Sequence, residues 1–318
     1  MKQQLTRRSR LVLLSALAVL ALGFLFIWAS ISSAANSSPR DAHVSLYVTV
    51  EHDGGLVQGL KGDNFRLYQD GETVPFRLAK PEKPAAIALL VEYSQSSWLY
   101  LRDIQRAMQG FTNVAPEGHW YALATFAHEL KVQVDFTKRR GAVSEGFQGL
   151  TQPLWQELDT YDAIYKMLDK MSRMSDRRIL IFVGSGFDTL SSHTLEDVEK
   201  KIESVNAVVY AIGAGSSLRG YYEPYLGSAD RMKVLQAEAF LRMLADKSGG
   251  QAWFPQFEMG FPDVMQAIMQ MIESQYRLVY EAQRRQDDRF HEVEVVAFGA
   301  LENAREKFDV RVREGWRF

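Results

Sequence analysis

Apolar residues run almost unbroken over positions 11–31 and alternate with polar ones over 43–50. From position 85 they gather into short solid blocks separated by amphipathic stretches. The solid blocks at 87–91, 121–126, 179–183 and 207–212 predict buried strands, and the stretches at about 98–112, 161–171, 194–203 and 233–247 predict helices. Strands alternating with helices imply a mostly parallel sheet covered on both faces. Residues 131–136 follow 121–126 closely enough to add an antiparallel edge. Ahead of this region, the alternation at 43–50, the turn His52-Asp53-Gly54-Gly55 and the pair 65–68 and 74–78 around Asp70-Gly71 predict a strand and a β-hairpin. Behind it, after Ser248-Gly249-Gly250, a helix at 262–274 leads into strands at 276–281, 291–298 and 308–312. The expected fold is α/β: a doubly wound, mostly parallel sheet over 85–274. The β-rich segments 43–82 and 275–318, the N- and C-terminal ends, are expected to pack together as a small flanking unit.

The first block has another meaning. Crossing a bilayer as a helix takes roughly 20 apolar residues, and 11–31 supplies that length behind a basic flank, 1–10, carrying Lys2, Arg7, Arg8 and Arg10. Such a flank stays on the cytoplasmic side. The expectation is a single-pass inner-membrane anchor with the remainder in the periplasm, joined through a Ser-, Ala- and Asn-rich linker at 32–42. Ser33-Ala34-Ala35 permits the alternative of a cleaved signal and a secreted protein. A formal net charge of −2 without long blocks of one sign gives no reason to expect nucleic acid as partner. The absence of cysteine from the 318 residues excludes disulfides, zinc thiolates and thiol nucleophiles.

Candidate chemistry concentrates after the first buried strand. Glu92-Tyr93-Ser94-Gln95-Ser96 sets an acid and two serines at i, i+2 and i+4, a spacing that points three oxygens at one hard cation such as Mg²⁺ or Mn²⁺. The alternative is a loop whose Ser94 and Ser96 hydroxyls satisfy backbone groups at a strand end. Ser185, between Gly184 and Gly186 and near Asp188 and His193, offers a remote serine-hydrolase reading, although the flanks are not G-x-S-x-G. Gly213-Ala214-Gly215 lacks the continuation of a nucleotide loop. The six histidines show no ligand spacing and are expected on loops or the surface. Tyr221, Tyr222 and Tyr225 form an aromatic cluster suited to contacts with a partner, or to folding over their own core. Trp98-Leu99-Tyr100 is expected to open a core-facing helix, the methionines of 259–271 to fill the core, and Glu273 to be solvated.

Several segments in order resemble the von Willebrand factor type A domain, and more narrowly the bacterial VWFA-related proteins. Gly59 to Gly71 reads GLKGDNFRLYQDG, Ala88 to Ser96 reads ALLVEYSQS, Tyr161-Asp162-Ala163-Ile164 resembles a helix start of that family, and Phe182 to Thr189 reads FVGSGFDT. Val209-Tyr210-Ala211-Ile212-Gly213, Ser248-Gly249-Gly250, Gln275-Tyr276-Arg277-Leu278 and Val310 to Trp316 complete the series, over about residues 43–318. The resemblance implies a ligand site at the carboxyl ends of the strands and a role in adhesion or protein contact, with no catalysis and no small-molecule substrate. Family sites combine an Asp and two serines with a threonine and a second aspartate. Here the first loop gives Glu92, Ser94 and Ser96. Leu158 falls at the threonine position beside Asp159 and Thr160, and Ser185 falls at the aspartate position with Asp188 beyond it. The implied metal set is therefore a degenerate one, Glu92, Ser94, Ser96, Thr160, Ser185 and Asp188, holding no cation or a weak Mg²⁺ or Mn²⁺. Asp159 and the three tyrosines are the expected partner contacts. A metal-free protein-binding domain is the expected function, with a Mg²⁺- or Mn²⁺-dependent adhesin as the alternative.

Overall fold

The computed structural model describes residues 42–175, 177–282, 289–299 and 306–317. The expected membrane segment, its basic flank and the linker up to residue 41 lie outside the described residues. Among the described residues no helix is long and apolar enough to cross a membrane.

The chain begins with strands β1 (Ala42–His52), β2 (Gly55–Leu56), β3 (Phe65–Gln69), β4 (Glu72–Thr73) and β5 (Arg77–Ala79). The α/β part follows as β6 (Ala85–Glu92), α1 (Leu101–Val114), β7 (Trp120–Phe126), β8 (Leu130–Thr137), α2 (Gly141–Gln148) and α3 (Thr160–Ser172). It continues through β9 (Arg177–Gly184), α4 (Leu195–Ser204), β10 (Ala207–Gly213), α5 (Ser228–Ser248), β11 (Gln251–Trp253) and α6 (Gly260–Ser274). Strands β12 (Tyr276–Ala282), β13 (His291–Ala297), β14 (Asp309–Arg311) and β15 (Gly315–Trp316) close the chain.

The central sheet runs β11-β10-β9-β6-β7-β8, parallel throughout except for β8, which lies antiparallel on β7. This is the doubly wound order, reversing between β6 and β9. Strand β6 has no polar residue before Glu92 because helices cover both of its faces. Ile87, Leu89 and Val91 pack in one layer with Met108 and Phe111 of α1 and Ile268 and Ile272 of α6. Ala88 and Leu90 pack in the other with Ile164 and Leu168 of α3 and Leu241 and Leu244 of α5. Helix α5 stops at Gly249, whose φ of 81° is left-handed, and its terminal carbonyls accept from Gly249 N–H (3.0 Å) and Gly250 N–H (2.9 Å). A Cβ on Gly250 would stand 1.9 Å from the carbonyl oxygen of Val209, so the chain passes β10 there only without a side chain.

Two smaller sheets join the chain's ends, as the periodicity predicts. One runs β14-β1-β12-β5 with β2 on β1, and the other runs β15-β13-β3-β4. The expected hairpin is corrected in one respect: β5 pairs with β12, not with β3, and β3 lies between β13 and the short β4. Residues 43–280 and 287–318 form one compact unit. Arg313 is buried and donates to the carbonyls of Glu203 (2.6 Å) and Gly315 (2.6 Å). Arg177, also buried, donates to the carbonyl of Ile272 (2.7 Å) and to Gln275, with its guanidinium over the Tyr47 ring.

Helix α2 and strand β11 escape the periodicity. The first is eight residues long with glycine at its start, within it and after it, and the second has three residues. His119 and His291 are buried, contrary to the surface expectation. His119 Nδ1 accepts from Ala85 N–H (3.0 Å), so its other nitrogen donates to Glu273 (3.0 Å). Burial depresses its basicity against the pull of Glu273, in keeping with a neutral ring. Glu273 is exposed, as expected, and also pairs with His119 and Lys83. Met265, Met269 and Met271 are core, whereas Met259 is exposed. Gly250→Ala is expected to destabilise the fold by about 1–3 kcal/mol or more through overpacking against Val209, read as a lower midpoint in urea unfolding.

Candidate functional site

Open α/β sheets place ligands outside the carboxyl ends of their strands, where the strand order reverses. In this chain that point lies between Glu92, the last residue of β6, and Ser185, the residue after β9. The Glu92 side chain is buried and bridges the two. One carboxylate oxygen, Oε2, accepts from the Ser185 N–H (2.7 Å) and hydroxyl (2.6 Å). The other, Oε1, accepts from the Ser97 hydroxyl (3.1 Å) and from Tyr100. Burial, reinforced by the neighbouring carboxylate, pushes the Tyr100 phenol far up, so it remains a donor. Gly184 makes the crossing feasible: a Cβ there would lie 2.9 Å from Glu92 Cβ and 3.0 Å from Oε2. Gly186, with φ of 80°, turns the chain where a Cβ would meet the carbonyl of Ala237 at 2.9 Å.

The remaining expected ligands are engaged separately. Ser94 and Ser97 exchange hydrogen bonds across the turn Ser96–Tyr100, Ser94 N–H to Ser97 Oγ (2.9 Å) and Ser97 N–H to Ser94 Oγ (3.1 Å). Ser96 donates to the carbonyl of Gln156 (3.2 Å). Thr160 donates to the carbonyl of Phe187, and Leu158 exchanges backbone and hydroxyl bonds with Thr189. Asp188 accepts from Tyr161 N–H (3.1 Å) and Ser191 (2.5 Å). The structure therefore joins Glu92, Ser94 and Ser185 in one hydrogen-bonded cluster and ties Ser96, Thr160 and Asp188 to neighbouring backbone and Ser191. Among the described residues no three His, Asp or Glu side chains are grouped as metal ligands would be. For the hydrolase alternative, Ser185 faces Glu92, while His193 pairs with Asp162 (2.7 Å) and stacks on Tyr165.

Two aspartates three residues apart diverge in character. Asp159 is buried, with Oδ2 at 2.9 Å from His128 and Oδ1 without a partner; burial and the nearby Asp162 and Asp188 raise it above the usual carboxylate range. Burial also pushes Asp162 up, but hydrogen bonds from the His193 backbone and ring and from Lys166 prevail and hold it at about 2.

Beside the Glu92 cluster lies an apolar cleft of about 340 Å³, bounded by Leu99, Tyr222, Leu226, Val234, Leu235 and Phe254, with Tyr100 and Ser185 also in its wall. Around it stand exposed rings and chains: Leu99 is 72% exposed, Tyr221 77% and Tyr225 86%, with Trp98, Tyr222 and Phe257 also open. The expected core-facing start at Trp98-Leu99 is thereby corrected. The short 3-10 turn before α1 sends Tyr100 inward to Glu92 and leaves Trp98 and Leu99 outside. The tyrosines sit on the helical turns Arg219–Tyr222 and Glu223–Tyr225, not folded over a core. Sequence reading missed Ser97, Tyr100 and Asp103. Asp103 is buried and accepts from Gly215 N–H (2.8 Å) and Ser217 (2.6 Å), fixing α1 to the loop after β10. The available signal for Ser97 and Tyr100 was their position, five and eight residues beyond a buried acid.

No family model matches the chain, and no curated protein matches it. Solved structures similar to it include an aerotolerance-related membrane protein from Bacteroides fragilis, at 13% identity and a TM-score of 0.45, covering 59% of this chain and 98% of that one. Proximal thread matrix protein 1 from the mussel byssus is 11% identical with a TM-score of 0.47, over 66% of this chain and 51% of that one, about half its length. The ArnB paralog VWA2 from Sulfolobus acidocaldarius is 11% identical with a TM-score of 0.42, over 86% and 75%. The strand order, the antiparallel edge β8 and the site at the reversal point are the architecture of the von Willebrand factor type A domain that the sequence resembles.

Removing the Glu92 carboxylate strands several buried donors at once, so Glu92→Ala is expected to destabilise the protein by on the order of 3 kcal/mol or more and Tyr100→Phe by about 1.5–3 kcal/mol, measured by urea unfolding. Asp162 has a depressed folded value, so its contribution is present above about pH 4. That contribution is lost as pH falls through about 2. The stability difference between wild type and Asp162→Asn should be constant above that window and close within it.

Proposed function

We propose that this protein is a membrane-tethered, extracytoplasmic binding domain that takes a protein partner on the carboxyl-end face of its sheet without a metal ion and without catalysis. The observation that carries this reading is the exposed apolar surface around the cleft at the reversal point, where a partner side chain of Leu or aromatic type would be buried. Exposed contiguous apolar surface of this kind marks interaction sites on soluble domains, and tyrosines anchor such contacts at low entropic cost. Tethering is supported by the sequence of 1–31, with its basic flank and apolar run.

The residues present do not suit a cation. Both oxygens of Glu92 already accept two hydrogen bonds each, from two hydroxyls and from the hydroxyl and N–H of Ser185. A dication would need these donors turned away, and among the described residues no three His, Asp or Glu side chains are grouped to hold it. Thermal melting of the full chain in Mg²⁺, Mn²⁺ or Ca²⁺ should match melting in EDTA, since a ligand of the folded state must raise the midpoint above its Kd. A saturable rise abolished by Glu92→Gln would establish the adhesin instead. For the partner, a photo-crosslinking residue at Tyr222 or Leu99 should give one discrete protein adduct in cells, insensitive to EDTA. The same probe at Glu72 should give none, and equal labelling from both places would defeat the proposal.

A further inference from the structure

A second cleft, of about 590 Å³, opens between α1 and α2, with a lining that contrasts with the first. Its walls carry the amides of Gln105, Gln109, Asn113 and Gln148, and its end carries the Tyr93 and Phe147 rings, packed edge to face with centroids 6.5 Å apart. No charged side chain lines it, although Arg102, Asp103 and Arg106 lie on the same helix. Asp103 is buried against the loop after β10, Arg102 lies 3.8 Å from Glu258, and Arg106 donates to Gln109 Oε1 (3.1 Å). The side chains of Gln105 and Asn113 and the Tyr93 hydroxyl make no hydrogen bond to another described residue, while Gln148 donates to Ser144 (3.2 Å). The volume lies within the range of about 300–1,000 Å³ typical of small-molecule sites.

We infer that this cleft binds a neutral oligosaccharide. Gln105 and Asn113 each offer a paired donor and acceptor, Gln109 keeps its N–H donors and Gln148 its carbonyl acceptor, which matches adjacent sugar hydroxyls that both give and take hydrogen bonds. The aromatic pair offers apolar faces for the C–H side of a sugar ring, with the phenol as a polar tip. Charged ligands are disfavoured, because no lining side chain carries a charge and the one adjacent guanidinium, Arg106, is already bonded to Gln109. A purely apolar ligand would strand the amides. A peptide would satisfy some amides through its backbone, but it leaves the ring faces without a flat apolar partner. The inference is independent of the protein-binding reading, since Tyr93 faces this cleft and Tyr222 the other.

The test is isothermal titration of the full chain, held in an amine-oxide detergent that has no sugar headgroup, with chitotriose, maltotriose and cellotriose. At least one should bind saturably with a Kd of about 1 mM or tighter. Gln105→Ala with Asn113→Ala, whose side chains bond no other described residue, should weaken it at least about tenfold with an unchanged melting temperature, and Tyr222→Ala should leave it intact. Silence from all three sugars at about 10 mM would overturn the inference. So would binding that survives the double substitution, or triglycine binding as tightly as the best sugar.

Discussion

One buried carboxylate holds the upper face of this domain together. Glu92 ends the central strand of the α/β sheet, and its two oxygens gather the loop after β9 through Ser185 and the turn before α1 through Ser97 and Tyr100. Buried polar groups of this kind are favourable only when every lone pair and donor is matched, and here each oxygen has two partners. The consequences spread outward. Tyr100 is drawn in, so its neighbours Trp98 and Leu99 are turned out, and Ser185 is drawn down beside the wall of the apolar cleft. The outward turn of Trp98 and Leu99 follows from satisfying one acid.

Much of the fold was legible in the sequence because burial on both faces of a parallel strand leaves a solid apolar block, and four such blocks stood out. The two ends were legible as β-rich from alternation at 43–50 and 291–298. Their pairing was less so: β5 is three residues long and could sit beside β3 or β12, and nothing local decides between them. Helix α2 was hidden because glycine at 141, 146 and 149 suppresses a helical signal, even though Gly146 is needed where Val134 Cγ2 would lie 2.5 Å from a Cβ. The site was legible by place and not by bonding. Glu92 and Ser185 were both singled out, yet their direct contact depends on a registry between β6 and β9 that no spacing along the chain encodes. The absence of a side chain at Gly184 was the one sequence sign that a longer acid could cross there.

The two clefts divide the labour of one loop. Glu92 ends β6 and Tyr93 follows it, with the two consecutive side chains on opposite sides as along a strand. The acid goes into the cluster beside the apolar cleft and the phenol into the amide-lined one. The apolar cleft lies over the reversal point, where the sheet itself creates a crevice, and the polar one lies between two helices on the flank. Their linings differ because their neighbours differ. Helix α5 and the tyrosine turns contribute aliphatic and aromatic groups, whereas α1 and α2 present exposed polar faces to each other.

The pairing of the chain's ends has a bearing on how the molecule comes into being. Strand β1 is among the first residues of the domain to emerge during synthesis, yet its partner β14 stands some 260 residues later, at the separation of the Arg311–Glu51 pair. Until the last strands arrive, β1 offers an open edge with buried-type residues such as Leu46 and Val48, and open edges invite wrong pairing. Contacts of such separation also close slowly. The domain therefore finishes folding only when its whole length is present.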